Sequence, residues 1–241
     1  IIPSFWKDWI ASRRYQEEAV QRLHLWQLEV PAENDIKKIH IGYGNSAEVI
    51  LEMADAINSN LIVLGAKMST NTGRYKTGTT VEAVVRHAKV PVWICKYEHI
   101  SKIICGIDGS PSSEQALQFA LDLCHHFSAS LCIISTIPYA DDYNALGLTE
   151  NEIKEHEEEF KAQQINKLNE FLDRFDFSNV VMQKCFQRGN PANVILDMAE
   201  DFNFDLIVVG AKGHSMLQHV LIGSTADKIL RYTPCSLLVV R

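Results

Sequence analysis

The chain has 241 residues, enough for one large domain or two small ones. Hydrophobic residues make up 46% and charged residues 22%, with 12 Gly and 7 Pro, which excludes a collagen-like, low-complexity or disordered chain. The formal charge of −7 argues against a protein that holds nucleic acid or an anionic membrane by bulk charge neutralisation, while leaving room for a local basic pocket.

Apolar runs such as Leu61-Ile62-Val63-Leu64 are far shorter than the roughly 20 residues that cross a bilayer, so no membrane span is expected. The opening Ile1-Ile2-Pro3-Ser4-Phe5-Trp6-Lys7 lacks the basic stretch and long apolar core of a secretory signal, and it has no initiator Met. Six cysteines, Cys95, Cys105, Cys124, Cys132, Cys185 and Cys235, are scattered without a Cys-x-x-Cys pair. That usage suits reduced, buried thiols and a cytoplasmic location.

Internal repetition organises the chain. Gly44-Asn45-Ser46-Ala47-Glu48-Val49-Ile50-Leu51-Glu52-Met53-Ala54 reappears as Gly189-Asn190-Pro191-Ala192-Asn193-Val194-Ile195-Leu196-Asp197-Met198-Ala199, an offset of 145 residues. The same offset carries Leu61 to Lys67 onto Leu206 to Lys212 and runs on to Lys96 against Arg241. A period this long is a whole domain, giving copies at 1–98 and 99–241 joined near Tyr97 to Ser101.

In chain order, Phe5, Trp6, Trp9, Tyr15 and Trp26 read as the packing face of a helix, equivalent to the stripe Phe160 to Phe175 in the second copy. By the offset, Ile1 corresponds to Leu146, so the first copy lacks a first strand, a helix and a second strand. A sheet without them would leave apolar faces and unpaired edges, and the expectation is that the sequence is missing its N-terminal portion.

The second copy opens with a strand, Lys102 to Ile107. Ser110-Pro111 then supplies an N-cap with Pro in the first turn, and Leu117, Ala120, Leu121 and Cys124 mark one helical face. Leu131 to Ile137 is the next strand. Thr149 with Glu152 forms a capping box for a long helix with the stripe Ile153, Phe160, Ile165, Leu168, Phe171, Phe175. Its charged run from Glu155 to Lys161 is the solvated face. Val180 to Phe186 reads as a strand, Pro191 to Asp201 as a helix with Val194, Ile195 and Met198 inward, and Leu206 to Val209 as a strand. A helix from about Ser224 to Tyr232 leads to the closing strand Leu237-Leu238-Val239-Val240. This alternation predicts an α/β fold, a mostly parallel sheet with helices on both faces.

After the fourth strand of the second copy comes Gly210-Ala211-Lys212-Gly213, nine residues from His214 to Ile222, then Gly223-Ser224-Thr225. A glycine at the strand end lets backbone approach a ligand closely, and Gly223-Ser224 opens a helix whose free N–H groups and dipole attract an anion. Ser224 and Thr225 add hydroxyl donors, and Lys212 and His219 add positive charge, so the spacing reads as a polyphosphate cradle. Asp108, at the end of the first strand in Asp108-Gly109-Ser110, repels phosphates when ionised. It is therefore expected to meet the adenosine half of a nucleotide lying across the strand ends. The bland readings are turn glycines for the loop, exposed loop histidines for His214 and His219, and a solvated helix end for Cys124-His125-His126.

The set Gly210-x2-Gly213-x9-Gly223-Ser224, Ile107-Asp108-Gly109-Ser110 and the closing Leu237 to Val240 resembles a universal stress protein domain, and the duplication resembles the tandem members of that family. The resemblance implies two doubly wound domains of the adenine nucleotide alpha hydrolase-like class, each with a five-stranded parallel sheet in the order 3-2-1-4-5. It implies ATP or AMP across the first and fourth strands, with Mg as an open question. It puts the adenine-contacting backbone at Thr136 and the phosphate ligands at Gly210, Gly213, Gly223, Ser224 and Thr225. It further implies pairing of domains, within one chain or in a homodimer, through the last strands Val92-Trp93-Ile94-Cys95 and Leu237 to Val240, each placed at a sheet edge.

The first copy departs from this pattern, reading Gly65-Ala66-Lys67-Met68 and then Gly78-Thr79-Thr80. Met68 stands where the second copy has Gly213; it would crowd a phosphate and resist a positive φ, so nucleotide is expected in the second copy alone. No Gly-x4-Gly-Lys-[Ser/Thr] loop, Ser-Gly-Gly-x-Asp loop or His-x-Gly-His motif is present in the sequence. The leading expectation is a non-enzymatic stress or signalling module. The alternatives are a slow ATPase or self-phosphorylating enzyme using Ser224, Thr225 or Asp108, and a nucleotide-free scaffold.

Overall fold

The computed structural model describes residues 17–18, 21, 40, 42–66, 77–97, 99–137, 150–213 and 221–241. The chain forms two compact units, Ile1–Val49 and Ile50–Arg241. Helix α1 (Ser46–Ala56) begins after Gly44, whose φ of +117° suits glycine, and Asn45 Oδ1 accepts from the Ala47 amide at 2.9 Å. The same device recurs 145 residues later, where Gly189 has φ +138° and Asn190 Oδ1 accepts from the Asn193 amide. The duplication is thus visible in backbone conformation as well as in sequence.

Among its described residues the second unit has seven strands: β1 (Ile62–Gly65), β2 (Val92–Cys95), β3 (Lys102–Gly106), β4 (Ser130–Ile137), β5 (Met182–Arg188), β6 (Leu206–Gly210) and β7 (Ser236–Val240). They form one sheet in the order β1-β2-β7-β6-β3-β4-β5, parallel throughout except for the antiparallel pair β2–β7. The five strands of the second copy lie as β5-β4-β3-β6-β7, which is the expected order 3-2-1-4-5. The two closing strands singled out in the sequence are neighbours, with Val92, Trp93 and Ile94 opposite Val239, Leu238 and Leu237. Each is the last strand of its own copy's run, as expected, and their pairing leaves β7 flanked by β2 and β6 with all five of its residues buried. Pairing of the copies converts two edges into the middle of a continuous sheet.

Helices α2 (Thr79–His87), α3 (Pro111–Phe127), α4 (Glu150–Leu172), α5 (Pro191–Asp201) and α6 (Ser224–Tyr232) complete the unit. Helix α3 starts at the expected cap, Ser110, whose hydroxyl accepts from the Ser113 amide, with Pro111 in the first turn. It buries Leu117, Ala120, Leu121 and Cys124 with Leu168, Phe171 and Leu172 of α4 against Cys105, Ile133 and Val208 of the sheet. Helices α5 and α6 pack on each other, and α5 also packs on β3 and β4. Thr149 and the side chains of Ile153 and Phe160 lie outside the described residues. The strand expected at Val180 begins two residues later, because Asn179 (φ +63°) and the Val180 amide bond to the Phe177 carbonyl still belong to a turn.

Candidate functional site at the carboxyl ends of three strands

Strand order reverses at β3, which pairs with β4 on one side and β6 on the other. Loops leaving strands there diverge and open a crevice. In this protein the crevice is a cavity of about 310 Å³ bordered by the carboxyl ends of β3, β4 and β6 and the N-termini of α5 and α6. Asp108, Thr136, Gly210, Lys212, Gly213, Gly223, Ser224 and Thr225 all line it. His219 lies outside the described residues, as do His214 and Met68.

Its apolar lining is made by Ile107, Ile134, Ile195 and Val209, and its polar lining carries the glycine loop and the first turn of α6. Gly223 is the N-cap of α6 with φ −70° and ψ 154°, and it has no side chain to cap the helix. The amides of Ser224, Thr225 and Ala226 therefore have no side-chain cap at the positive end of the helix dipole, where these three residues border the cavity.

The glycines are required by space rather than by φ. None of Gly210, Gly213 and Gly223 has a positive φ, contrary to the reason first given for disfavouring Met at the second position. A Cβ on Gly210 would clash with Ser112 Oγ and stand 2.8 Å from the Ser112 carbonyl carbon, so the end of β6 is sealed against the first turn of α3. A Cβ on Gly213 would stand 2.6 Å from Asp108 Oδ2. The positive φ at this end belongs to Gly109, at +81°, where the chain turns out of β3.

Sequence reading missed the serines that hold the loop in place. Ser112 Oγ bonds both backbone groups of Lys212, donating to its carbonyl and accepting from its amide at 3.2 Å, and Ser110 Oγ donates to the same carbonyl at 3.3 Å. The Ser110-Pro111-Ser112-Ser113 run signals a helix cap but not a partner a hundred residues away. Asp108 is fixed by its own turn, Oδ1 accepting from the Ser110 amide at 2.9 Å, which leaves Oδ2 beside Gly213. The carboxylate thus adjoins the glycine loop, closer to it than the expected separation into an adenosine half and a phosphate half.

Thr136 owes its position to the unequal lengths of β3 and β4. Their pairing ends at Gly106 opposite Ile134, with the Ile107 amide donating to the Ile134 carbonyl at 2.9 Å. Backbone polar groups alternate sides along a strand. Thr136, two residues on, therefore presents its N–H and C=O to the same side, past the end of β3 and at the cavity.

In the first copy, Gly78 caps α2 with φ −71° and ψ 152°, nearly the geometry of Gly223. A Cβ on Gly65, the counterpart of Gly210, would meet nothing within 4 Å, since no helix start seals that strand end among the described residues. Among the described residues no group of three or more His, Cys, Asp or Glu side chains could hold a metal ion, and no helix is long and apolar enough to cross a membrane. All six cysteines are free.

Comparison with known proteins agrees with this architecture. Universal stress protein YxiE of Bacillus subtilis is 28% identical over 146 residues, 58% of this chain and 99% of that one. A functionally unknown protein of Pseudomonas aeruginosa shares the fold, with a TM-score of 0.65 and 17% identity over 93% of this chain and 77% of its own. A putative universal stress protein of Pseudomonas aeruginosa aligns with a TM-score of 0.58 and 19% identity over 83% of this chain and 69% of its own. The pattern of the universal stress protein family matches twice, at residues 3–96 and 99–241, and with nearly the whole sequence so covered, the chain belongs to that family.

Proposed function

We propose that this chain is an adenine-nucleotide-binding stress-response or signalling module of the cytoplasm, with ATP or AMP held by residues 99–241. The observation that carries the reading is one cavity lined both by apolar side chains and by a helix N-terminus without a side-chain cap beside close-approach glycines. At about 310 Å³ it lies within the range of small-molecule sites. In this reading the base lies against Ile107, Ile134, Ile195 and Val209, and the Thr136 N–H and C=O face an adenine edge that offers one acceptor and one donor. The phosphates lie over Gly213 and the first turn of α6, with the charge of Lys212 beside them. Asp108, between the two ends, accepts from ribose hydroxyls.

Isothermal titration of the full chain with ATP and AMP, with GTP as the control, tests the proposal. One site per chain, selective for adenine, is expected. No binding, two equivalent sites, or equal affinity for GTP would overturn it.

A further inference from the structure

We propose that Arg86, a residue of the first copy, sets how strongly the second copy's cavity holds phosphate, by neutralising the acidic residue in the first turn of α6; this inference rests on the nucleotide binding proposed above. The two copies meet across a pseudo-two-fold axis. Strand β2 pairs antiparallel with β7 so that Trp93 lies opposite Leu238, its own counterpart at the offset of 145, and the axis passes between them. Helices α2 and α6 are counterparts under the same offset. The cation that closes each copy reaches the end of the other copy's helix. Lys96 Nζ donates to the carbonyl of Thr233, the C-cap of α6, at 2.7 Å, and Arg241 Nη2 donates to the Arg86 carbonyl near the end of α2 at 2.8 Å.

Side-chain charges break this symmetry. Asp227 lies in the first turn of α6, directly after Ser224, Thr225 and Ala226, which border the cavity, and its amide donates to the Gly223 carbonyl at 2.8 Å. Arg86 Nη2 donates to Asp227 Oδ1, with the two side chains 28% and 25% exposed. The mate of this pair across the axis would join Arg231 to Glu82. Arg231 Nε instead donates to Asp227 Oδ2, on its own helix, at 3.1 Å. Two arginines therefore converge on one carboxylate, and that carboxylate belongs to the copy with the complete glycine loop. A carboxylate in the first turn competes with phosphate for the same positive helix end, and at a partly buried position solvent screens their repulsion incompletely. Arg86 offsets that charge from outside the second copy. Thr77 Oγ1, next to Gly78 of the first copy, also donates to the Leu230 carbonyl in the last turn of α6. A displaced helix would weaken all nucleotides alike, whereas an unneutralised charge weakens them in order of their phosphate charge, ATP more than AMP.

The test is calorimetric titration of the full chain with ATP and AMP, at low and high salt, in the parent, Arg86→Gln, Arg86→Lys and Asp227→Asn. Arg86→Gln should weaken ATP at least about threefold and AMP less, with the difference shrinking as salt is raised. Arg86→Lys keeps the charge and should keep the parent's ratio of ATP to AMP affinity. Asp227→Asn should tighten ATP relative to AMP, and it decides the matter alone where Arg86→Gln does not fold. A parent that binds ATP, with the same ATP to AMP ratio in every charge-changing variant that folds, would overturn the inference and leave nucleotide binding standing. A parent that binds neither nucleotide would overturn both.

Discussion

Gly210 and Gly213 belong to one loop, but their surroundings separate a packing role from a ligand role. In Gly210→Ala the new methyl meets Ser112 backbone atoms at 2.8 and 2.9 Å as well as its hydroxyl, so β6 and the first turn of α3 must move apart. Overpacking of this kind costs about 1–3 kcal/mol, and disturbing the Ser112 bonds to Lys212 adds about 1 kcal/mol. The total of about 2–4 kcal/mol corresponds to a fall in Tm of roughly 4–16 °C for a unit of this size. In Gly213→Ala the methyl meets only Asp108 Oδ2, the free end of a side chain that can rotate away. Its stability should fall by no more than about 1 kcal/mol, the worth of the Asp108 to Ser110 bond. ATP affinity should nevertheless fall at least about tenfold, or about 1.4 kcal/mol, and further in Gly213→Met. Urea denaturation and calorimetric titration of the same three proteins measure both quantities. If Gly210→Ala is as stable as the parent, the seal between α3 and β6 is not formed; if Gly213→Ala binds ATP undiminished, the loop is a turn and nothing more.

Arg241 donates to the Leu221 carbonyl at 3.1 Å and to the Arg86 carbonyl at 2.8 Å, near the end of α2, so Arg241→Ala should lose about 1–3 kcal/mol in urea denaturation; an unchanged midpoint would discount these bonds. Burial lowers the Lys96 ammonium from 10.5 to about 8, against a smaller raising influence of Cys235. Between pH 8 and 10.5 the unfolded chain therefore binds more protons than the folded one, and stability relative to Lys96→Met should rise with pH across that window and stay level below it; a flat or falling difference would show that Lys96 is solvated. Burial raises the thiols of Cys124 to about 11 and of Cys132 and Cys235 to about 12, and raises Cys105 further, whereas Cys95 and Cys185 are half-buried. A disulfide reagent at pH 8 should therefore label Cys95 and Cys185 quickly and the other four only on unfolding; fast reaction of all six would mean that the core opens readily.

Much of the local structure was legible because its causes are local. The Ser110 cap with Pro111, the Asn190-Pro191 start and the run from Ser224 to Tyr232 fix α3, α5 and α6 within a few residues, since capping bonds and helical periodicity act over one or two turns. The alternation of strands and helices predicted a mostly parallel sheet, because parallel strands need crossovers, while the order of the strands in the second copy was implied by the family resemblance. Tertiary structure alone decided the rest. It assigned the need for glycine at 210 and 213 to Ser112 and Asp108, roughly a hundred residues away in sequence. It also left Val63 exposed where its counterpart Val208 is buried. Each of these depends on which distant backbone comes within a few ångströms, and no local signal in a single sequence encodes that distance.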